Sequence, residues 1–219
     1  MTSRPKQPDP QPAPRLYLIT PPVADADAFG SQLSAALDAG DVAAILLRIA
    51  DADERTLINR AKALCAIAQD RGVALLLDGH FELVARAGAD GGHLTGIASF
   101  TEAIGQLKPE RIAGAGGMVT RHDAMLAAEQ GADYVMFGEP DASGKCPAFA
   151  AVEERVAWWA EVFQIPCVGY APSLDGIAPL VSAGADFIAL GDTVWRDPKI
   201  IAETIREAEY NLQPSEATT

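Results

Sequence analysis

Eight short runs of aliphatic and β-branched residues alternate along the chain with longer segments of helical spacing, and this alternation limits the fold to strand–helix units feeding a parallel sheet. The expected strands cover residues 15–20 (RLYLIT), 43–48 (AAILLR), 74–78 (ALLLD), 91–94 (GGHL), 111–115 (RIAGA), 134–138 (YVMFG), 166–170 (PCVGY) and 187–191 (FIALG). A helix is expected after each. The first runs through SQLSAALDAG, where Gly40 closes the turn, and the second spans about residues 53–70. A small repeat supports the count: Ala-Gly-Ala-Asp at 87–90, Gly-Ala-Asp at 131–133 and Ala-Gly-Ala-Asp at 183–186 each end a helix just before a strand. Glycine there suits a left-handed cap and the acid starts the next strand from a tight turn. Eight units in this length fit one small (βα)8 barrel, the TIM-barrel fold, over residues 15–211. An open doubly wound sheet is the alternative, but no GxGxxG follows the first strand.

The 219 residues, 49% of them hydrophobic, supply one sizeable core and little more than one domain. Thirty acidic against seventeen basic residues give a net charge of −13, which argues against nucleic acid and anionic membranes as partners. An anionic small molecule therefore needs a local basic spot. Cys65, Cys146 and Cys167 show neither CxxC nor metal-ligand spacing, so a reducing, cytoplasmic setting is expected. Residues 1–14 hold five prolines and almost nothing apolar, and read as a disordered arm without the apolar core of a signal peptide. Residues 212–219 read as a flexible tail.

In a barrel of this kind ligands meet the ends of the strands, so the strand-end residues are the candidates. Arg48 follows five apolar residues, which delivers a guanidinium to the rim, suited to phosphate or carboxylate; an ion pair with Asp51 or Asp78 is the structural alternative. Asp78 closes LLLDGH, where it either holds magnesium, acts as a base, or caps the helix that begins near Phe81. His93 in GGHL is placed to reach a ligand or to pack. His80 reaches the same cavity only if its loop turns inward. His122 sits beside a Thr120/Asp123 capping box and is expected on a solvent-facing helix. Gly116 and Gly117 end a glycine-rich strand whose N–H groups suit an anion. Lys145, in GEPDASGKCPAF, is a second anion contact, and Gly191 ends the eighth strand.

The ordered set LYLIT, LLR, LLD…ELVARAGADGGHL, IAGAGG, GADYVMFGEP…GK, IPCVGYAP and AGADFIAL resembles the thiamine phosphate synthase and thiazole tautomerase family over about residues 15–210. The resemblance implies a (βα)8 barrel that joins a hydroxymethylpyrimidine diphosphate to a thiazole phosphate with magnesium and releases diphosphate. By position it assigns Arg48 to the diphosphate, Asp78 to magnesium and Lys145 to the phosphate loop after the sixth strand. Departures are numerous. Ala50 and Leu77 replace a lysine and an asparagine, and Ala98 stands near the second magnesium acid. Gly117 and Val119 replace a serine and a histidine. Ala171-Pro172 and Asp192 replace the Gly-Gly and serine of the thiazole phosphate site, where proline has no N–H to give.

The sequence thus implies a phosphorylated small-molecule ligand, with homo-oligomerisation left open. The function expected first is a diverged synthase of thiamine biosynthesis. Two alternatives are a barrel that binds without catalysis and a tautomerase-like isomerase in which His80 or His93 stands in for the missing histidine.

Overall fold

The computed structural model describes residues 12–141 and 143–213, so most of the arm expected at 1–14 and of the tail expected at 212–219 lies outside the described residues. Eight parallel strands, β1 (Arg15–Ile19), β2 (Val42–Leu47), β3 (Ala74–Asp78), β4 (Gly91–Thr95), β5 (Ile112–Gly116), β6 (Tyr134–Phe137), β7 (Cys167–Tyr170) and β8 (Phe187–Leu190), pair in sequence order. β8 pairs back onto β1, so the sheet closes as a TIM barrel. The helices between them are α1 (Ala26–Leu37), α2 (Glu54–Gln69), α3 (Val84–Ala87), α4 (Ile97–Leu107), α5 (Arg121–Glu129), α6 (Phe149–Val162), α7 (Ile177–Ser182) and α8 (Asp192–Trp195). A further helix, α9 (Ile201–Asn211), packs beside α1, and Leu212 after it is still buried in the core.

Every expected strand is present, each within a residue or so of its expected bounds. The expected second helix is framed by its own caps: Asp53 accepts the Thr56 N–H at its start and Asp70 closes its end. Gly40 does not close the first helix. α1 stops at Leu37 with Asp38 as its C-cap, and Gly40 lies beyond, where its missing Cβ makes room for Ile205 and Glu209 of α9.

Period-two alternation divides the strand residues between two apolar layers. Leu16, Leu18, Ile45, Leu47, Leu75 and Leu77 face the helices, whereas Tyr17, Ile19, Leu46, Leu76, Tyr134 and Met136 fill the barrel interior. Continuing the inward phase of β2 and β3 past Leu46 and Leu76 brings the next inward positions to Arg48 and Asp78. The polar rim is therefore an extension of the interior row.

The Gly-Ala-Asp repeat sets this phase. Gly88, Gly131 and Gly184 take the positive φ expected of them. The acids after them do more than begin a strand. The Asp90 carboxylate accepts the Leu75 N–H of β3 at 2.8 Å, Asp133 that of Ala113 in β5 at 2.7 Å, and Asp186 that of Cys167 in β7 at 2.8 Å. Each backbone N–H of these acids donates in turn to the carbonyl of the same partner. Asp41, just before β2, is a fourth member in a different form: its carboxylate takes two bonds from the Arg15 guanidinium of β1, at 2.8 and 2.6 Å. An acid before every even-numbered strand thus ties it to the odd-numbered strand preceding it.

Removing one of these carboxylates leaves a partly buried N–H without its acceptor, which costs roughly 1–3 kcal/mol. Asp186→Ala and Asp133→Ala are expected to lower the urea midpoint accordingly; an unchanged midpoint for both would contradict the clamp.

Candidate active site

Thr20, almost fully buried at the end of β1, fixes the rim next to Arg48. Its hydroxyl accepts the Arg48 N–H at 3.0 Å, and the Arg48 carbonyl takes the Val23 N–H at 2.9 Å. The guanidinium then donates Nε to Asp78 Oδ2 at 2.9 Å, both side chains being partly exposed. Fixing Nε leaves the two Nη groups to turn toward the opening, a fork suited to a phosphate. Asp78 does not cap the turn beginning at Phe81: His80 occupies the cap position, with φ of 40° and no side-chain capping bond.

Two adjoining recesses open above the strand ends and share Thr95, Pro140 and Asp141 as walls. The first, about 500 Å³, is lined by Arg48, Asp78, Tyr170, Gly191 and Asp192. The second, about 420 Å³, is lined by Gly117, Met118, Met136, Glu139, Lys145 and Cys146 among others. Arg48, Asp78 and Gly191 therefore meet in one recess, and Lys145 and Gly117 in its neighbour. The Lys145 loop is drawn together by Asp141, whose carboxylate accepts the Ser143 and Lys145 N–H groups at 2.8 and 3.1 Å.

Glu139 was not among the sequence candidates. It follows β6 across Gly138, whose φ of 98° takes the chain out of the strand, its carboxyl turns down into the barrel, and Oε1 accepts the Gly117 N–H. A Cβ on Gly116 would overlap both this carboxyl and the His93 ring, so glycine there is what lets them fit. The residue as a whole is half-buried while its carboxyl lies deeper, and burial pushes its pKa up to about 7, opposed by hydrogen bonds from its own N–H and that of Gly117.

Below it, His93 is buried, and burial lowers its pKa to about 4, leaving a neutral imidazole at pH 7. His93 Nδ1 bonds the Tyr134 hydroxyl at 2.9 Å, and that hydroxyl bonds Tyr17 at 2.7 Å, forming a chain across the interior from β4 through β6 to β1. Burial raises both tyrosine pKa values, so the chain is uncharged. His93 thus forms the floor beneath the recesses. His80 lines a third recess with Phe81, Ser99 and Glu102, on the far side of Asp78 and Thr95, which it shares with the Arg48 recess, and His122 is exposed beside the Thr120/Asp123 capping box.

The family resemblance implies magnesium at Asp78. Asp78 Oδ2 is already taken by Arg48, and among the described residues no group of three His, Cys, Asp or Glu side chains gathers to hold an ion. Asp141 and Asp192 also line the Arg48 recess but do not gather with Asp78 into a ligand set, so a hard cation that wants about six oxygens is not fitted by the protein alone.

A closed eight-stranded parallel barrel with Arg48, Asp78 and Gly191 gathered at one recess above its strand ends defines a TIM barrel. The chain belongs to the thiamine monophosphate synthase family, whose model matches residues 16–194. It is 42% identical over 200 residues to the thiamine-phosphate synthase of Rhodospirillum centenum, covering 90% of this chain and 96% of that one. It is 38% identical to that of Hyphomonas neptunium, covering 90% and 93%. Among solved structures it resembles thiamine phosphate pyrophosphorylase from Pyrococcus furiosus, with TM-score 0.72, 20% identity and 90% and 95% coverage. It also resembles 3-hexulose-6-phosphate synthase from Salmonella typhimurium, with TM-score 0.68, 16% identity and 90% and 98% coverage. No helix among the described residues is long and apolar enough to cross a membrane.

The raised Glu139 pKa carries a pH signature. Between the ordinary carboxyl value and about 7 the folded chain binds a proton that the unfolded chain has released, so the stability is fully present below about 4.5 and is lost as pH rises through about 7. Relative to Glu139→Gln, the wild type is expected to lose on the order of 2–3 kcal/mol between pH 5 and pH 8. Urea titrations at both pH values measure this; parallel behaviour of the two proteins would contradict a buried Glu139 carboxyl.

Proposed function

We propose that the chain is a thiamine-phosphate synthase of thiamine biosynthesis that works slowly, condensing hydroxymethylpyrimidine diphosphate with thiazole phosphate at the C-terminal mouth of the barrel. The observation that carries this reading is the Arg48 fork, fixed by Asp78 at the ends of adjacent strands, in a chain 42% identical to a thiamine-phosphate synthase over nearly its whole length.

When the bond to diphosphate breaks, negative charge grows on the leaving group, and groups already aimed at that charge lower the barrier. Arg48 offers two Nη donors and Lys145 an ammonium from the neighbouring recess. Asp78 acts by orienting Arg48. Gly117 and Gly191 bring backbone to the walls of the two recesses, Gly116 being packed against Glu139 and His93 instead, and the neutral His93 keeps the floor free of charge that would compete for the diphosphate. Magnesium, in this reading, arrives as the partner of the diphosphate, with Asp78 contributing at most one ligand. A cytoplasmic location accords with free cysteines at all three positions and with substrates of central metabolism.

The low rate follows from what the mouth lacks. Ala50 and Val119 offer no polar group, Leu77 faces the helices, and each missing donor costs about a hundredfold. A barrel that binds without turnover is the second reading, favoured by Pro172 and Asp192 at the ends of β7 and β8, where barrels commonly seat a phosphate.

Incubation with both precursors and magnesium is expected to yield thiamine phosphate slowly, and Arg48→Ala to reduce the yield by about a hundredfold or more. No product, with thermal stabilisation by either precursor, would favour the binding reading. Neither product nor stabilisation would remove thiamine precursors altogether.

A further inference from the structure

The recess between β5 and β6 has a seat for an anion already filled by the chain itself. At the end of β5 the backbone turns through Gly117, at φ of 61°, and presents its N–H inward. The next helix offers no second anion seat, because Thr120 and Asp123 cap its N-terminus reciprocally. The Gly117 N–H donates to Glu139, and the space a Gly116 side chain would need is taken by Glu139 and His93 together. Among the remaining walls Met118, Met136, Phe137 and Pro147 offer apolar contact to a flat ring, while Arg155 is engaged by the Met118 and Val119 carbonyls and Lys145 stands on the loop side.

We propose that Glu139 is a specificity-determining residue: its carboxyl occupies the seat at Gly117, so the β5–β6 recess accepts a neutral ring bearing N–H or O–H donors and rejects a phosphate. The anionic end of the ligand then lies in the adjoining recess on Arg48. The two recesses share Thr95, Pro140 and Asp141, so one molecule spans both. This deepens the reading of the mouth as a ligand site by fixing the orientation and the chemical class of what enters it. Like charges at close range repel, so an ionised Glu139 and a bound phosphate exclude each other. A donor-bearing ring meets an acceptor there instead.

The test uses inorganic diphosphate without metal, titrated calorimetrically at pH 8 into the wild type, Glu139→Gln and Glu139→Ala. Glu139→Gln keeps the shape and removes the charge, which guards against a folding defect in the alanine variant. Glu139→Ala, which frees the seat and removes the charge, is expected to bind diphosphate about tenfold or more tightly than the wild type, and Glu139→Gln, which removes the charge and leaves the seat filled, to gain by a smaller factor. The gain is expected to survive addition of Arg48→Ala, because the freed seat lies at Gly117, and to shrink with Lys145→Ala. Unchanged affinity in both Glu139 variants, or a gain abolished by Arg48→Ala, would overturn the proposal. The readout needs no turnover, so an inactive wild type leaves it standing, and its failure leaves the transferase reading intact.

Discussion

A parallel strand that slips by one residue turns every side chain to its other face, and in this barrel such a slip would carry Arg48, Asp78 and His93 out of the mouth and into the helix layer. Register is therefore the constraint on which the site depends. The chain holds it from the bottom of the barrel, far from the chemistry, with an acid placed before each even-numbered strand: Asp41, Asp90, Asp133 and Asp186. Three of them clamp a neighbouring strand backbone through both carboxylate and N–H. Closure of β8 onto β1 then leaves the sheet no free edge along which to slide.

With register fixed, the mouth divides along its electrostatics. On the β2–β3 side a cation is fixed by one acid and has donors to spare. On the β5–β6 side a carboxyl held near neutral pH by burial fills the backbone seat that glycines would otherwise offer. Beneath both, the uncharged His93–Tyr134–Tyr17 chain satisfies polar groups that would be costly to bury alone. The mouth thus presents one guanidinium held by a carboxylate on one side and one internal acid on the other, an asymmetry between its two recesses.

The fold was legible because it is written in periodicity: apolar runs of strand length, helical spacing between them, and the Gly-Ala-Asp punctuation. Gly40 misled because it follows a helical pattern while serving the packing of α9, a contact between segments far apart in sequence. Arg48 and Asp78 were visible as charges at the ends of apolar strands, yet their pairing was one of several options that only the closed sheet selects. Glu139 was missed because GEPD reads as a turn. By alternation from Tyr134 and Met136 it would fall in the helix-facing phase; the positive φ of Gly138 breaks that phase, and the glycines at the end of β5 that admit its carboxyl lie more than twenty residues earlier.

The central claim is that Arg48 is the anion contact of this mouth. A crystal structure of the protein soaked with inorganic diphosphate addresses it directly. The account expects the anion above the ends of β2 and β3, within hydrogen-bond distance of the Arg48 Nη atoms, with Asp78 still on Nε. Diphosphate seated instead at Gly117 or beside Asp192, with Arg48 bare, would contradict it.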